Sequence, residues 1–278
     1  MRIERLSEMT GRDVIPFRYH GHGIEDINAW IRTHYVPLLQ LPGIFPGLVE
    51  ASFQQAVDDG VTILEASIDV GFGHLYGIQP SEVVETLKLA HQKVAPHIDF
   101  RPSLGFARSR SVRQLLQLFE PYPDLNYFTA IDLYDDEQSQ PVQNFREIYR
   151  FARQQGLRCT AHAGEFGTAE EVREAVEVLG LDAVQHGIAA ASSPDIMKWL
   201  SERGTTLNIC PTSNLILQRV SSYAAHPIRK LFDHGVRVTI NTDDVVLFNQ
   251  SVSEEFMNLF QAGVFSVKEL EGIRGSSS

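Results

Sequence analysis

The sequence predicts an α/β protein of the (β/α)8 TIM-type barrel class, incomplete at its first strand. Short β-rich runs alternate with helical segments, the runs are apolar on nearly every residue, and polar side chains gather at their C-terminal ends. Apolar strands of this kind suit a parallel sheet covered on both faces. The alternation builds either a doubly wound sheet or a barrel, and spacing alone leaves both open. The polar strand ends favour the barrel, because there they converge on one mouth where barrel enzymes keep their chemistry. A doubly wound sheet normally carries a Gly-rich phosphate loop after its first strand, and none is found.

The candidate strands, in order, are VTILEASID (61–69), HIDFRPSLGF (97–106), YFTAIDLYD (127–135), LRCTAHAGE (157–165), AVQHG (183–187), TLNICPTS (206–213) and VRVTINTDD (236–244). Helical periodicity and start signals mark SEVVETLKLAHQKV after Pro80, VRQLLQLFE, NFREIYRFARQQG ending at Gly156, and TAEEVREAVEVLG, where Thr168 and Glu171 form a capping box. The run VIPFRY precedes His20-Gly21-His22, which reads either as a displaced first strand carrying two metal donors or as a solvated loop. Glu65 lies inside its strand and is expected to make a polar contact in the barrel interior. No Gly/Ser/Pro linker divides the chain, so residues 1–278 are taken as one domain.

Composition narrows the function. The formal net charge of −11 repels a nucleic-acid backbone or an anionic membrane on average, which points to a small partner. No stretch has the apolar length of a membrane helix and the N-terminus is charged where a signal peptide is greasy, so a cytoplasmic protein is expected. Cys159 and Cys210 each sit in an apolar run, so a disulfide scaffold and a Cys-rich zinc site are not expected; a metal is expected to rest on His, Asp and Glu.

Those residue types recur at the strand ends. In T-A-H-A-G-E, His162 has a ring nitrogen for a metal and Glu165 a carboxyl that handles protons; each alone also reads as a structural, hydrogen-bonded residue. His186, at the next strand end, suits a general base or an orienting group, or a buried neutral imidazole. Asp243 and Asp244 are adjacent carboxyls that need a cationic or hydrogen-bonding receiver, or else form a helix N-cap or turn.

Taken in order, His162-Ala163-Gly164-Glu165, His186-Gly187, Cys210-Pro211-Thr212-Ser213-Asn214, His226-Pro227 and Thr242-Asp243-Asp244 resemble the adenosine deaminase family of metal-dependent hydrolases, over residues 45–270. The resemblance implies a barrel with one zinc at its mouth that hydrolyses the 6-amino group of a purine nucleoside and releases ammonia. By position it makes His162 and Asp243 zinc ligands, Glu165 the acid that protonates the purine ring, His186 the group that orients or deprotonates the attacking water, and Asp244 a holder of ring and water. Asp135 falls where the family has a Gly against the purine, which makes it a substrate-contacting position and points to a substrate other than plain adenosine.

The family opens with a strand bearing His-x-His; here MRIERLSEMTGRD resembles the family's first helix, which places that strand upstream of Met1. The Gly-Ser-Ser-Ser end reads as an appended tail. Two ligands alone hold zinc poorly, so a metal-free relative that binds a nucleoside-like ligand or a partner without catalysis is the alternative. Barrel hydrolases acting on other C–N bonds are a further one. A barrel short of one strand leaves two sheet edges that invite pairing with a second copy, as a homodimer, or with the displaced segment.

Overall fold

The computed structural model describes residues 1–122 and 125–275; the Ser276–Ser278 part of the expected tail lies outside the described residues. Each of the seven sequence runs contains a strand: β1 (Ile63–Asp69), β2 (Asp99–Ala107), β3 (Ala130–Tyr134), β4 (Arg158–Ala163), β5 (Ala183–His186), β6 (Thr206–Ile209) and β7 (Arg237–Ile240). They pair side by side in chain order, all parallel. Helices Pro80–Val94, Val112–Phe119, Arg146–Gln154 and Ala169–Leu179 stand where the periodicity predicts them, and the last opens on the Thr168/Glu171 capping box. The architecture is a curled α/β half-barrel, an incomplete TIM barrel.

The outward faces of the strands make the core. Leu104, Phe106, Ile131, Leu133, Cys159, Ala161, Val184, Leu207 and Ile209 are fully or almost fully buried against the helices. The inward faces are polar rather than filled by branched aliphatics, the usual content of a barrel interior. Through Gln185, a 3.5 Å bond to Thr160 leads to Asn208, whose amide donates to Gln185 at 3.1 Å; Thr239 then donates to Asn208 at 2.8 Å and Asn241 to Thr239 at 2.8 Å. This belt runs from β4 to the end of β7 beneath the mouth. Glu65 makes a polar contact, bonding Arg158 of β4 at 2.9 Å, but both side chains are exposed to solvent rather than enclosed in an interior.

The sheet stops at β1 and β7, which do not pair with one another among the described residues. VIPFRY has no regular secondary structure and joins no strand, so among the described residues it does not complete the barrel. Helical segments fill that side instead. Ile3, Phe17, Ile27 and Trp30 pack on Leu217, Leu247 and Phe248 beside the mouth, and Asp59, ahead of β1, accepts the Val252 N–H beyond β7 at 2.8 Å. No single helix among the described residues is long and apolar enough to cross a membrane; one apolar pair, Ile24–Leu39 and Ile44–Asp58, is bent by 112°.

Candidate active site

Strand alternation decides which side chains reach the mouth. Residues 158, 160 and 162 of β4 face inward with 206, 208 and 210 of β6 and 239, 241 and 243 along β7, because successive side chains of a strand alternate between faces. His162, Cys210 and Asp243 are thus the next steps above the polar belt. His186 follows inward-facing Gln185 and would point outward by the same count; its backbone turns to φ 62° and brings the ring in. Asp243 (φ 59°) and Asp135 (φ 79°) share this left-handed conformation. Among the described residues, three of the five non-glycine residues with positive φ are candidate site residues, in keeping with the concentration of backbone strain at functional sites.

The structure brings the ordered set together. His186 Nδ1 lies 3.4 Å from Glu165 Oε1 and its Nε2 lies 3.9 Å from Asp243 Oδ2. The His162 ring is tilted against that of His186, with centroids 5.2 Å apart. Asp244 occupies the N-cap position of the short helix Val245–Phe248, but its side chain makes no cap bond, so that reading of the acidic pair holds for position and not for function. Asp243 Oδ1 accepts the Asp244 N–H at 2.8 Å.

Residues to which the sequence reading gave no role hold this set in place. Asp132, almost fully buried, lies 3.3 Å from His162 Nδ1 and accepts from Thr160 at 2.9 Å. Glu137 accepts the N–H groups of Gly164, Glu165 and Phe166 at 2.6, 2.9 and 3.3 Å, so one carboxylate clamps the whole HAGE turn. Both belong to the Asp132–Glu137 run, whose density of carboxyls was the available signal. Asn214 donates to Glu165 Oε1 at 2.7 Å. The Ile228 N–H donates to His226 Nδ1 at 3.0 Å, which leaves the His226 proton on Nε2, facing Asn214 Oδ1 at 3.2 Å. That fixes the Asn214 amide with its NH2 towards Glu165, and explains why CPTSN and HP accompany HAGE.

The local fields separate the carboxyls by protonation state. Burial, then the charges of Asp243 and Glu137, push Glu165 well above the usual carboxyl range, which favours its acid form. Loss of surrounding water, then the Asp243 charge, raises Asp244 to about 6 although it keeps an exposed face. Burial opposes a charge on His162, but the neighbouring Asp132 outweighs it and brings the imidazole up to about 9. Burial lowers His186, so this ring stays neutral.

Burial also brings His226 down to about 4 from 6.5. The unfolded chain therefore binds a proton that the folded chain refuses, and the stability from neutral His226, fully present above pH 6.5, is lost as pH falls towards 4. The loss reaches about 3 kcal/mol. Denaturant melts at pH 7 and 4.5 should show a smaller acid loss for His226→Gln than for the parent; equal losses would show that His226 does not carry it.

A metal is the obvious receiver for such a mouth, and the donors fit one. Ligand atoms of His186, Cys210 and Asp243 lie within 4.8 Å of one another, and with the Nδ1 atoms of His162 and His186 turned to Asp132 and Glu165, each ring has its Nε2 left for the mouth. Nitrogen, sulfur and carboxylate oxygen are the donors zinc takes. The expectation of His, Asp and Glu donors is therefore widened by a thiol that alternation on β6 turns inward. His20 and His22 are not part of the group. Both are exposed on a loop, with His22 Nδ1 on Asp26 at 2.9 Å, which is the solvated reading of that motif. Asp135 is pinned by Asn28, 3.0 Å from its Oδ1, and by Ser109, which ties the helix Ile24–Trp30 to the rim.

A parallel barrel with imidazole, carboxyl and thiol groups converging at the C-terminal mouth defines an enzyme of the barrel-hydrolase class. A family model described as adenosine deaminase matches residues 25–277. A Treponema pallidum protein, provisionally named an adenosine/adenine deaminase, is 31% identical over 98% of this chain and 91% of its own length. In fold, the chain is similar to an adenine deaminase from Arthrobacter aurescens (TM-score 0.79, 24% identity, 96% of this chain and 85% of that one). It is also similar to a zinc-bound amidohydrolase from Burkholderia ambifaria (TM-score 0.78, 22% identity, 98% and 80%). The chain belongs to the adenosine deaminase family, a family of hydrolytic deaminases acting on C–N bonds.

Proposed function

We propose that this chain catalyses the zinc-dependent hydrolytic deamination of a purine nucleoside such as adenosine, or a close relative, giving inosine and ammonia from adenosine. The observation that carries the reading is geometric: the Glu165 carboxyl and the His186 imidazole lie 3.4 Å apart at one mouth, with burial shifting Glu165 up and His186 down from their ordinary values. Deamination needs such a pair: an acid to protonate the ring and make carbon 6 electrophilic, and a base to take the proton of the attacking water. Glu165 is assigned the first role, with Asn214 fixing its free oxygen, and His186 the second. His162 and Asp243 are assigned to the metal, Asp244 to the ring and the water, and Asp135 to the substrate edge. A zinc ion bound there supplies Lewis acidity, lowering the pKa of water towards 7.

The test is ammonia release from adenosine, adenine and other 6-aminopurines, set beside zinc per chain by elemental analysis. About one zinc per chain and release that tracks added zinc are expected. Ligand-induced stabilisation with neither zinc nor ammonia would favour the second reading, a nucleoside-binding relative without catalysis. The location of His20 and His22 on an exposed loop is what favours that reading. A preference for adenine over adenosine would move the substrate to the free base while leaving the roles intact.

A further inference from the structure

We propose that Glu255 is a positioning residue for Glu165: by holding the Thr212 N–H it fixes the helix Pro211–Ile216, and with it the point at which the Asn214 amide meets the Glu165 carboxyl. The inference rests on the deaminase reading above and adds a residue to which that reading gives no role.

Glu255 lies in the helix Val252–Gln261 and is fully buried. Among the described residues it makes no ion pair, and both of its carboxyl oxygens accept the Thr212 N–H, at 3.1 and 3.2 Å. Burying a carboxyl is costly and the net gain from one N–H is modest, so stability alone gives little reason for it. What the carboxyl adds is position. Thr212 stands in the first turn of the helix Pro211–Ile216, two residues ahead of Asn214, whose amide donates to Glu165 Oε1 at 2.7 Å. One turn along from Glu255, Asn258 donates to Tyr223 Oη at 3.1 Å, and that hydroxyl shares a 2.7 Å hydrogen bond with Thr212 Oγ1. Tyr223 lies three residues before His226, which faces Asn214 Oδ1 at 3.2 Å. One helix thus grips both segments that bracket Asn214, and a satisfied buried network of this kind fixes a single arrangement. Glu255 does for the Cys210–Asn214 turn what Glu137 does for the HAGE turn. Burial raises Glu255 to about 8, so a neutral amide is a close replacement for it.

Two substitutions separate reach from charge. Glu255→Gln keeps the reach and an acceptor oxygen for Thr212, whereas Glu255→Asp keeps the carboxyl and withdraws it by about 1.5 Å, one carbon–carbon bond. Ammonia release is followed with added zinc on adenosine and on adenine. Glu255→Asp is expected to lose about 10–100-fold in kcat with KM within about threefold, the mark of a misplaced group in an intact site, and Glu255→Gln to stay within about threefold of the parent in both. In an Asn214→Ala background, Glu255→Asp is expected to cost nothing further. The side-chain amide signals of Asn214 in 15N-asparagine-labelled protein need no turnover, and are expected to shift in Glu255→Asp and stay in place in Glu255→Gln. Parental kcat in Glu255→Asp, a larger loss in Glu255→Gln than in Glu255→Asp, or an undiminished loss in the Asn214→Ala background overturns the role of Glu255 and leaves the deaminase reading standing. A parent that releases no ammonia overturns the deaminase reading, and the Asn214 signals then decide alone: unmoved in Glu255→Asp, they overturn the role of Glu255 as well. Should Glu255→Asp fail to fold, Glu255→Met, which keeps the reach and offers no acceptor, takes its place with the same expected losses.

Discussion

Changing Glu165 to Gln is expected to slow ammonia release by about 10²–10⁴-fold, the usual contribution of a positioned acid, while the fold stays intact. The structure makes this a clean test. Asn214 donates to Glu165 Oε1, and a Gln carbonyl accepts the same bond in the same place. The Glu137 clamp acts on backbone N–H groups, which the substitution does not touch. What is lost is the proton that burial and the Asp243 charge keep on this carboxyl. Thermal melts should overlay while turnover collapses. Near-parental turnover in Glu165→Gln would remove Glu165 from the acid role.

Gly164→Ala is expected to destabilise the protein by about 2–4 kcal/mol, from overpacking and backbone strain together. Gly164 sits at φ +75°, and a Cβ built there would clash with Val172 Cγ2. Val172 is fully buried in the helix Ala169–Leu179, which its capping box and core contacts hold fast. The turn cannot retreat either, because its N–H groups are fastened to Glu137. Pairing Gly164→Ala with Val172→Ala should restore the part due to the clash and leave the backbone strain, a non-additivity that a double-mutant cycle in denaturant resolves. A single variant within about 0.5 kcal/mol of the parent, the range of a neutral surface change, would show that the turn is softer than its geometry implies.

The strands and the helices between them were legible because each is a local matter. Apolar runs such as 127–135 and 183–187 can be buried only in a covered sheet, and Thr168 with Glu171 announces a helix start over four residues. The site was legible as a set of residue types at strand ends, since parallel strands of a barrel bring those ends to one mouth. Its supports were not. Asp132, Glu137 and His226 act on partners 12 to 30 residues away, so the carboxyl-rich run and the His-Pro pair mark their presence but not what they hold. Cys210 was legible as part of the Cys-Pro-Thr-Ser-Asn motif, but only the folded chain brings its thiol within 4.8 Å of His186 and Asp243.

By itself, the sequence determined the α/β class, the seven strands, the order of the chemical groups and the family that order resembles. These depend on hydrophobic period, capping and residue type, all carried by neighbouring positions. The tertiary structure decided that His20 and His22 stand apart from the mouth, that His186 enters it through a left-handed backbone, and that burial and neighbours shift Glu165 up where they shift Asp132 down. Each of these is fixed by distances between elements remote in the chain. A pKa or a ligand set is a sum over neighbours in space, which the chain acquires only by folding.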